Sequence, residues 1–203
     1  FYKRQDLINA RASRTTHPKS LHFLEMLFTK IATNNFKINH PFLFNTKTDI
    51  LNKILKFNKE SYINSTLTCT KTFLRFSHNS QASHCGCCSQ CIDRRLAAYA
   101  SNLEEFDAIY DVDIAKDQII DSEAKMHLFD YIHLVSEFNQ STEFSFPFEF
   151  TDILTDLVPY ITGENDPDKI NKIYALIKNH TRQIQNAIKR IMIQDDPLLP
   201  KRE

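Results

Sequence analysis

Apolar residues recur at helical spacing along most of the chain, and this pattern predicts a mostly helical protein. A first helix is expected at about 18–33, because a proline suits its first turn and the leucines that follow share one face. Thr16 or His17 would cap it. After a short extended segment, a cap at Thr46 or Thr48 predicts a second helix.

The second half of the chain carries longer apolar stripes. They predict helices at about 92–100, 117–139 and 168–193, with a phenylalanine-rich piece at 144–161 that prolines interrupt. Stripes of this kind most often face a core. We therefore expect the part beyond about residue 113 to pack rather than to carry chemistry.

Length and charge limit the classes of function. The 203 residues, 42% of them hydrophobic, suffice for one core with or without a helical extension. Lysine plus arginine equals aspartate plus glutamate at 25 each, so no overall field attracts nucleic acid or an anionic membrane. No stretch approaches the ~20 apolar residues that cross a bilayer. Nucleic-acid and membrane partners are disfavoured.

The scarcity of glycine excludes one kind of site. Gly86 and Gly163 are the two glycines of the sequence, where average usage of about 7% would give roughly fourteen. A loop whose backbone amides surround a pyrophosphate needs several glycines close together. If the protein uses ATP, this segment does not hold the phosphates.

The chain has five cysteines. They are Cys69 and the four in the run CGCCSQC, which starts at Cys85. Cys85, Cys88 and Cys91 are evenly spaced, whereas Cys87 breaks the repeat. Thiolates at this spacing, joined by a fourth from elsewhere, suit a tetrahedral metal ion, and zinc is the favoured one. Free clustered cysteines also fit a reducing compartment, so we expect a cytoplasmic protein.

Other interpretations of the cluster stay open at this point. Disulfides are disfavoured by the odd count and by the lack of an apolar amino-terminal run. An iron–sulfur cluster shares the C-x-x-C-x-x-C start, but the fourth cysteine and its following proline are missing downstream. His78 or His84 would replace Cys69 if that cysteine is not a ligand.

Three segments from Ser65 onward, STLTC, HCGCCSQCIDRRLAAYA and FDAIYDVD, resemble the zinc-bearing carboxy-terminal part of the 7-cyano-7-deazaguanine synthase (QueC) family. The resemblance reaches upstream to about Ser13, where SRTTHP and then FNTKTDIL occupy the places of substrate-proximal loops. It implies an α/β parent fold of the adenine nucleotide alpha-hydrolase-like, PP-loop ATPase type. This chain would supply a mostly α-helical part with a zinc-bearing loop and few short strands.

The resemblance also implies a ligand set and a domain division. Its metal ligands are carried over as Cys69, Cys85, Cys88 and Cys91, holding a structural zinc ion. The QueC-like part would span 1–112, followed by a helical extension at 113–203.

Members of this family are ATP-dependent ligases of queuosine biosynthesis. They use ATP and Mg²⁺ to adenylate a 7-deazaguanine carboxylate, which a nitrogen nucleophile then attacks. The run SRTTHP departs from the Asp-Cys-Arg run common before this proline in biosynthetic members, and is similar to QueC-like proteins of anti-phage defence clusters. There a deazaguanine would be joined to a partner protein, which the helical extension could hold.

Substrate-binding candidates combine hydroxyls, cations and an imidazole: Ser13, Arg14, Thr15, Thr16, His17, Lys47 and Arg94. The Arg14 guanidinium would bind carboxylate or phosphate in bidentate fashion. Lys47 at a helix start is explained by a bound phosphate, or by plain solvent exposure. Arg94 or the adjacent Arg95 could instead pair with Asp93 or with a nearby acidic helix. His17 could be a cap or a proton carrier.

A second hypothesis belongs to a different class. Zinc bound by the cysteine cluster could stabilise a non-catalytic module whose helices bind a protein. Catalytic residues are not assigned by the sequence.

Overall fold

The computed structural model describes residues 16–71, 80–116, 122–163 and 165–194. Within these ranges the chain is mostly helical, as the apolar periodicity predicts. The α-helices are α1 (Pro18–Ala32), α2 (Lys47–Lys56), α3 (Ser89–Ser101), α4 (Ser122–Gln140), α5 (Phe146–Glu149), α6 (Thr151–Leu157) and α7 (Asp166–Gln194). Short 3₁₀ helices lie at Glu60–Ser65, Glu104–Phe106 and Val158–Tyr160.

The first two helices begin where local chemistry places them. The His17 ring accepts a hydrogen bond from the Lys19 amide at 3.3 Å, which identifies His17 as the cap of α1. Thr46 and Asp49 form a reciprocal capping box at the start of α2. Both caps are among those predicted.

The later helices differ from expectation mainly at their ends. The helix expected from residue 92 begins earlier, at Ser89. The described part of α4 begins at Ser122, and residues 117–121 of the predicted helix lie outside the described residues. Pro147 lies in the first turn of α5, where its missing N–H removes no helical bond.

The described residues contain an isolated parallel bridge between His84 and Tyr110 instead of the few short strands expected. A strand requires a neighbour for its backbone groups. The extended segment at 36–39 has no strand partner among the described residues.

The chain divides into two spatial units. Unit 1 contains 1–44 and 140–177, and unit 2 contains 45–139 and 178–203. The predicted division at residue 112 separates a family-like part from an extension along the sequence, and each part contributes to both units. As a boundary between domains it stays a prediction.

Unit 1 is built around aromatic and aliphatic side chains of its short helices. Phe146 is completely buried, and its ring packs on Phe150 and Tyr174 at centroid distances of 5.1 and 5.3 Å. The buried apolar residues of this unit include Phe146, Phe150, Leu154, Leu157, Val158, Ile161 and Ile173. The first turns of α1 contact α6 and Tyr160.

Unit 2 packs α3 at its centre. Its apolar core consists of Ile92, Leu96, Tyr99, Ile114, Ala115, Val135, Ile184 and Ala187. A second buried cluster contains the cysteines, and it joins α3 to the loops on either side. In the described part of the chain, no helix is both long and apolar enough to cross a membrane.

Candidate metal centre

Four buried cysteines of unit 2 come together at the start of α3. Cys69 follows the Glu60–Ser65 helix, Cys85 and Cys88 belong to a turn, and Cys91 lies in the first helical turn. Their sulfur atoms all lie within 4.8 Å of one another. The Cys91 sulfur is 3.8 Å from that of Cys85 and 3.4 Å from that of Cys88.

These separations fit one tetrahedral metal ion. Four sulfurs at metal–sulfur distances of about 2.3 Å are about 3.8 Å from one another. The group consists of Cys85, Cys88 and Cys91, which the spacing selects, and Cys69, which the resemblance adds. It can hold a metal ion that prefers thiolates.

Gly86 allows the turn to lie against a second loop. Its φ of 78° is in the left-handed region, and a Cβ atom on it would lie 1.6 Å from the Val112 carbonyl oxygen. Hydrogen bonds run from the Val112 amide to the Cys85 carbonyl at 3.2 Å and from the Asp111 amide to the His84 carbonyl at 2.8 Å. The backbones therefore approach too closely for any side chain at position 86.

Backbone amides point at the sulfurs. The amides of Lys71 and Cys85 donate to the Cys69 sulfur at 3.3 and 3.4 Å, and the Cys88 amide donates to the Cys85 sulfur at 3.4 Å. Such donors stabilise thiolate charge and orient the ligands. The turn therefore supplies donors that would stabilise thiolates at Cys69 and Cys85.

Without a cation, hydrogen bonds among the thiols favour ionisation of some and oppose ionisation of others. Hydrogen bonding to Cys87, Cys88 and Cys91 raises the pKa of the Cys85 thiol well above its usual range. The hydrogen bond from Cys85 lowers the pKa of Cys88 well below it. A bound divalent cation would deprotonate the coordinating thiols together.

Cys87 lies outside the group of four. Its sulfur accepts a hydrogen bond from Lys71 Nζ at 3.5 Å, and the same ammonium forms an ion pair with Glu123 at 2.5 Å. Its backbone carbonyl contacts the His127 ring at 3.0 Å. Cys87 therefore contributes to the link between the turn and α4.

His84 is completely buried beside the centre but is not one of the four ligands. Its Nε2 accepts the Thr68 amide at 3.2 Å, and its Nδ1 lies 2.9 Å from the Ser83 hydroxyl. Burial, together with the charge of Arg94, lowers its pKa. Both ring nitrogens are occupied, and His78, the other substitute considered, lies outside the described residues.

Comparison with protein families identifies the region that contains this centre. Residues 17–103 match the family model described as queuosine biosynthesis protein QueC. This region is QueC-like. No match to a curated protein or to a solved structure was found. The family implies a PP-loop ATPase-like fold, and the QueC-like region includes all four clustered cysteines.

Arg94, a predicted substrate residue of the QueC-like region, is buried and bonded internally. Its Nε pairs with Asp107 at 2.7 Å, and its terminal nitrogens donate to the carbonyls of Thr66 and Ile63 at 2.6 and 2.8 Å. It is 5% exposed. These contacts join α3 to the loop that carries Cys69, and a substrate contact by Arg94 stays a prediction.

Lys47 is the first residue of α2, and its ammonium lies 2.5 Å from Asp93 and 3.2 Å from Gln90. Asp93 also accepts the Tyr131 hydroxyl at 2.6 Å, which in turn lies 2.7 Å from His180 Nε2. Burial alone would raise the pKa of Asp93, but the charge of Lys47 helps to hold it below its usual value. Lys47, Asp93, Tyr131 and His180 thus link α2, α3, α4 and α7. A phosphate contact by Lys47 stays a prediction.

The predicted substrate loop before α1 is described only at its end. Thr16 is exposed, and His17 caps α1 and lies 3.5 Å from Asp156. Ser13, Arg14 and Thr15 lie outside the described residues. Their roles stay predictions.

Sequence inspection missed the acidic partners of the basic residues. Asp107 accepts Arg94, Arg95 and the Tyr110 hydroxyl, and Asp113 pairs with Arg95 at 2.7 Å. The signal was present, because two aspartates of FDAIYDVD follow the adjacent arginines within one compact segment. By contrast, nothing in the local sequence pairs Asp93 with Tyr131 and His180.

Proposed function

We propose that this chain is the zinc-containing part of a QueC-like, ATP-dependent enzyme that adenylates a 7-deazaguanine carboxylate. The observation that supports the proposal most is the buried four-cysteine centre inside the QueC-like region. The acyl adenylate would lead to an amide or nitrile, or to conjugation with a partner protein in anti-phage defence. A cytoplasmic location accords with the free thiols.

Zinc has a structural role in this proposal. Four thiolates complete a tetrahedral zinc site and leave no position for water or substrate. When bound, the ion would compensate the charge of the four sulfurs and fix the turn. Cys69, Cys85, Cys88 and Cys91 would hold it.

The chemistry then belongs to the polar loop before α1. Arg14 would bind the carboxylate or phosphate, and neighbouring hydroxyls would hold the planar base. His17 and Lys19 both contact Asp156, so the described end of this loop is held by unit 1. With only two distant glycines in the sequence, the ATP phosphates would be bound by another segment of the intact protein.

The test is adenylation by the intact protein. Incubation with ATP, Mg²⁺ and 7-carboxy-7-deazaguanine should release pyrophosphate and form an acyl adenylate. Arg14→Ala should reduce turnover at least 10²-fold, because oriented charge stabilisation is lost, without lowering the melting temperature. The matched control is Arg182→Ala, an exposed arginine of α7. Equal turnover of Arg14→Ala and the unmodified protein would refute the role of Arg14, and absence of adenylate in the unmodified protein would refute the activity.

The alternative is a non-catalytic, zinc-pinned module that binds a protein. The internal pairing of both Arg94 and Lys47 favours this alternative, because the two described cations proposed for substrate contacts already have protein partners. It predicts a zinc-loaded protein that neither binds nor adenylates a deazaguanine.

A further inference from the structure

Helix α6 and the residues after it contact the start of α1 within unit 1. The Asp156 carboxylate of α6 lies 3.5 Å from His17 Nε2 and accepts a hydrogen bond from Lys19 Nζ at 2.7 Å. The same ammonium lies 5.6 Å from the centre of the Tyr160 ring, which also contacts the His22 ring at 5.5 Å. Asp156 and Tyr160 therefore hold the first turn of α1 from outside that helix.

The His17 ring has a contact at each of its two nitrogens. Nδ1 accepts the Lys19 amide at 3.3 Å, so Nδ1 carries no proton and the proton of the neutral ring lies on Nε2. Nε2 faces the Asp156 carboxylate. A carboxylate at one nitrogen fixes the tautomer and the orientation of an imidazole whose other nitrogen is in use. In this arrangement His17 is an oriented cap, and both of its nitrogens have partners within unit 1.

This contact affects the position of the ring more than the stability of the fold. The side chains of Lys19 and Asp156 are 41% and 48% exposed, and ion pairs as exposed as this one contribute little to stability. The two charges also compensate each other, so the pair leaves no net charge that would repel an anion. The His17 side chain is only 13% exposed, so its orientation is restricted by its surroundings.

The cap determines how the chain enters α1. The His17 backbone is extended, with φ −70° and ψ 132°, and its side chain bonds the first helical turn. Residues 13–16, the proposed substrate residues of the loop, directly precede this cap. A change in the orientation of His17 would therefore change the direction in which the loop leaves the helix.

The contacting residues come from different parts of the sequence. His17 is the first residue of the QueC-like region, whereas Asp156 lies well beyond the end of that region at residue 103. The family comparison thus identifies the loop end but not the carboxylate that contacts it.

From these contacts, we propose that Asp156 is a positioning residue for the substrate loop before α1. It acts through His17, and the helical part beyond residue 103 thereby helps to shape the substrate site. This inference rests on the proposed function, because it requires that residues 13–16 bind the deazaguanine carboxylate or a phosphate.

Steady-state kinetics of the intact protein test the proposal. Asp156→Ala should raise the KM for 7-carboxy-7-deazaguanine about 10-fold or more, with kcat and the melting temperature little changed, because a displaced loop binds substrate less well. Asp156→Glu, which keeps the carboxylate, should recover most of this loss. The matched control is Asp152→Ala, which removes an exposed carboxylate of the same helix and should leave KM unchanged.

A double-substitution cycle shows whether Asp156 acts through His17. His17→Asn keeps a capping side chain for α1 but removes the imidazole that faces Asp156. The double variant of His17→Asn and Asp156→Ala should therefore have the same KM as His17→Asn alone. Additive effects of the two substitutions would overturn the inference.

The remaining outcomes separate this inference from the proposed function. Nitrogen-15 NMR of the unmodified protein should show the Nε2–H tautomer for His17, and the Nδ1–H tautomer would overturn the inference whether or not the protein adenylates its substrate. Normal adenylation with an unchanged KM in Asp156→Ala would overturn the inference alone. An unmodified protein that forms no adenylate would refute the proposed function, and the inference with it.

Discussion

The metal centre in unit 2 and helix α1 in unit 1 place polar and apolar groups in opposite ways. Around the metal centre, Arg94, Arg95 and Asp107 are buried, and each has charged partners. On α1, Glu25 and Thr29 face inward while phenylalanine and leucine side chains are exposed. Buried charge in unit 2 is compensated by nearby charged groups, whereas the apolar side chains of α1 are exposed in the part of the chain that the structure describes.

The difference shows where each region obtains its stability. The cysteine-bearing turn of unit 2 depends on specific charged and hydrogen-bonding partners. Removal of one partner leaves a buried charge uncompensated or a hydrogen bond unmade. Leu27 and Ile31 of α1 keep half or more of their surface exposed, so their substitution should lower stability less than loss of a buried partner does. Three substitutions in unit 2, each with a control, test this contrast.

The largest expected effect is loss of the metal. Cys88→Ser removes one of the four proposed ligands, and the remaining thiols would form an incomplete site. Because metal binding contributes directly to folding, we expect loss of the bound zinc and a decrease of about 5 kcal/mol or more in the free energy of unfolding. Elemental analysis and thermal unfolding measure both quantities.

Cys87→Ser is the matched control for this substitution, since Cys87 is a buried cysteine of the same turn outside the group of four. It should retain one zinc per chain and lose little stability. Equal zinc loss in the two variants would contradict the ligand assignment, and an iron-containing, brown protein would contradict zinc.

The next effect concerns the buried charges. Asp107 accepts Arg94 Nε at 2.7 Å and the Tyr110 hydroxyl at 2.8 Å, and its side chain is inaccessible to solvent. Asp107→Asn leaves the buried arginines without this charge, so we expect a loss of about 4 kcal/mol in chemical denaturation. Asp156→Asn, which weakens a half-exposed pair with Lys19 in unit 1, should cost less than about 1 kcal/mol. Similar losses in the two variants would remove the contrast between the units.

The sequence predicted the helices and the clustering of the cysteines better than it predicted the partners of the charged side chains. Helix α1 and the caps at His17 and Thr46 follow from local periodicity and side-chain chemistry, and the clustered cysteines follow from spacing. These features depend on neighbours along the chain. The orientation of α1 does not depend on neighbours along the chain. An apolar stripe identifies one face of a helix without specifying whether the helix's own unit covers that face.

The same limit applies to Arg94 and Lys47. Their cationic character suggested substrate contacts, but their partners Asp107 and Asp93 are fixed by the packing of loops and helices. For the pair of Arg94 and Asp107, a usable signal was present, because aspartates follow the adjacent arginines within one segment. The Tyr131–His180 contact joins residues 49 positions apart and had no local signal.

The smallest of the three effects concerns backbone shape alone. Gly86→Ala adds a Cβ atom 1.6 Å from the Val112 carbonyl oxygen at a φ of 78°, so the turn must move away from the second loop. We expect a loss of about 3 kcal/mol in the free energy of unfolding and weaker zinc binding, measured by competition with a chelator.

Gly163→Ala in unit 1 is the control. Gly163 has a similar positive φ of 98°, but nothing lies within 4 Å of the added Cβ atom, so the substitution should cost only about 1 kcal/mol. The difference between the two variants isolates the close approach of the loops from the conformational preference of glycine. Equal losses would mean that the turn can move away from the second loop without further cost, and the close approach of Gly86 to Val112 would then not stabilise the turn.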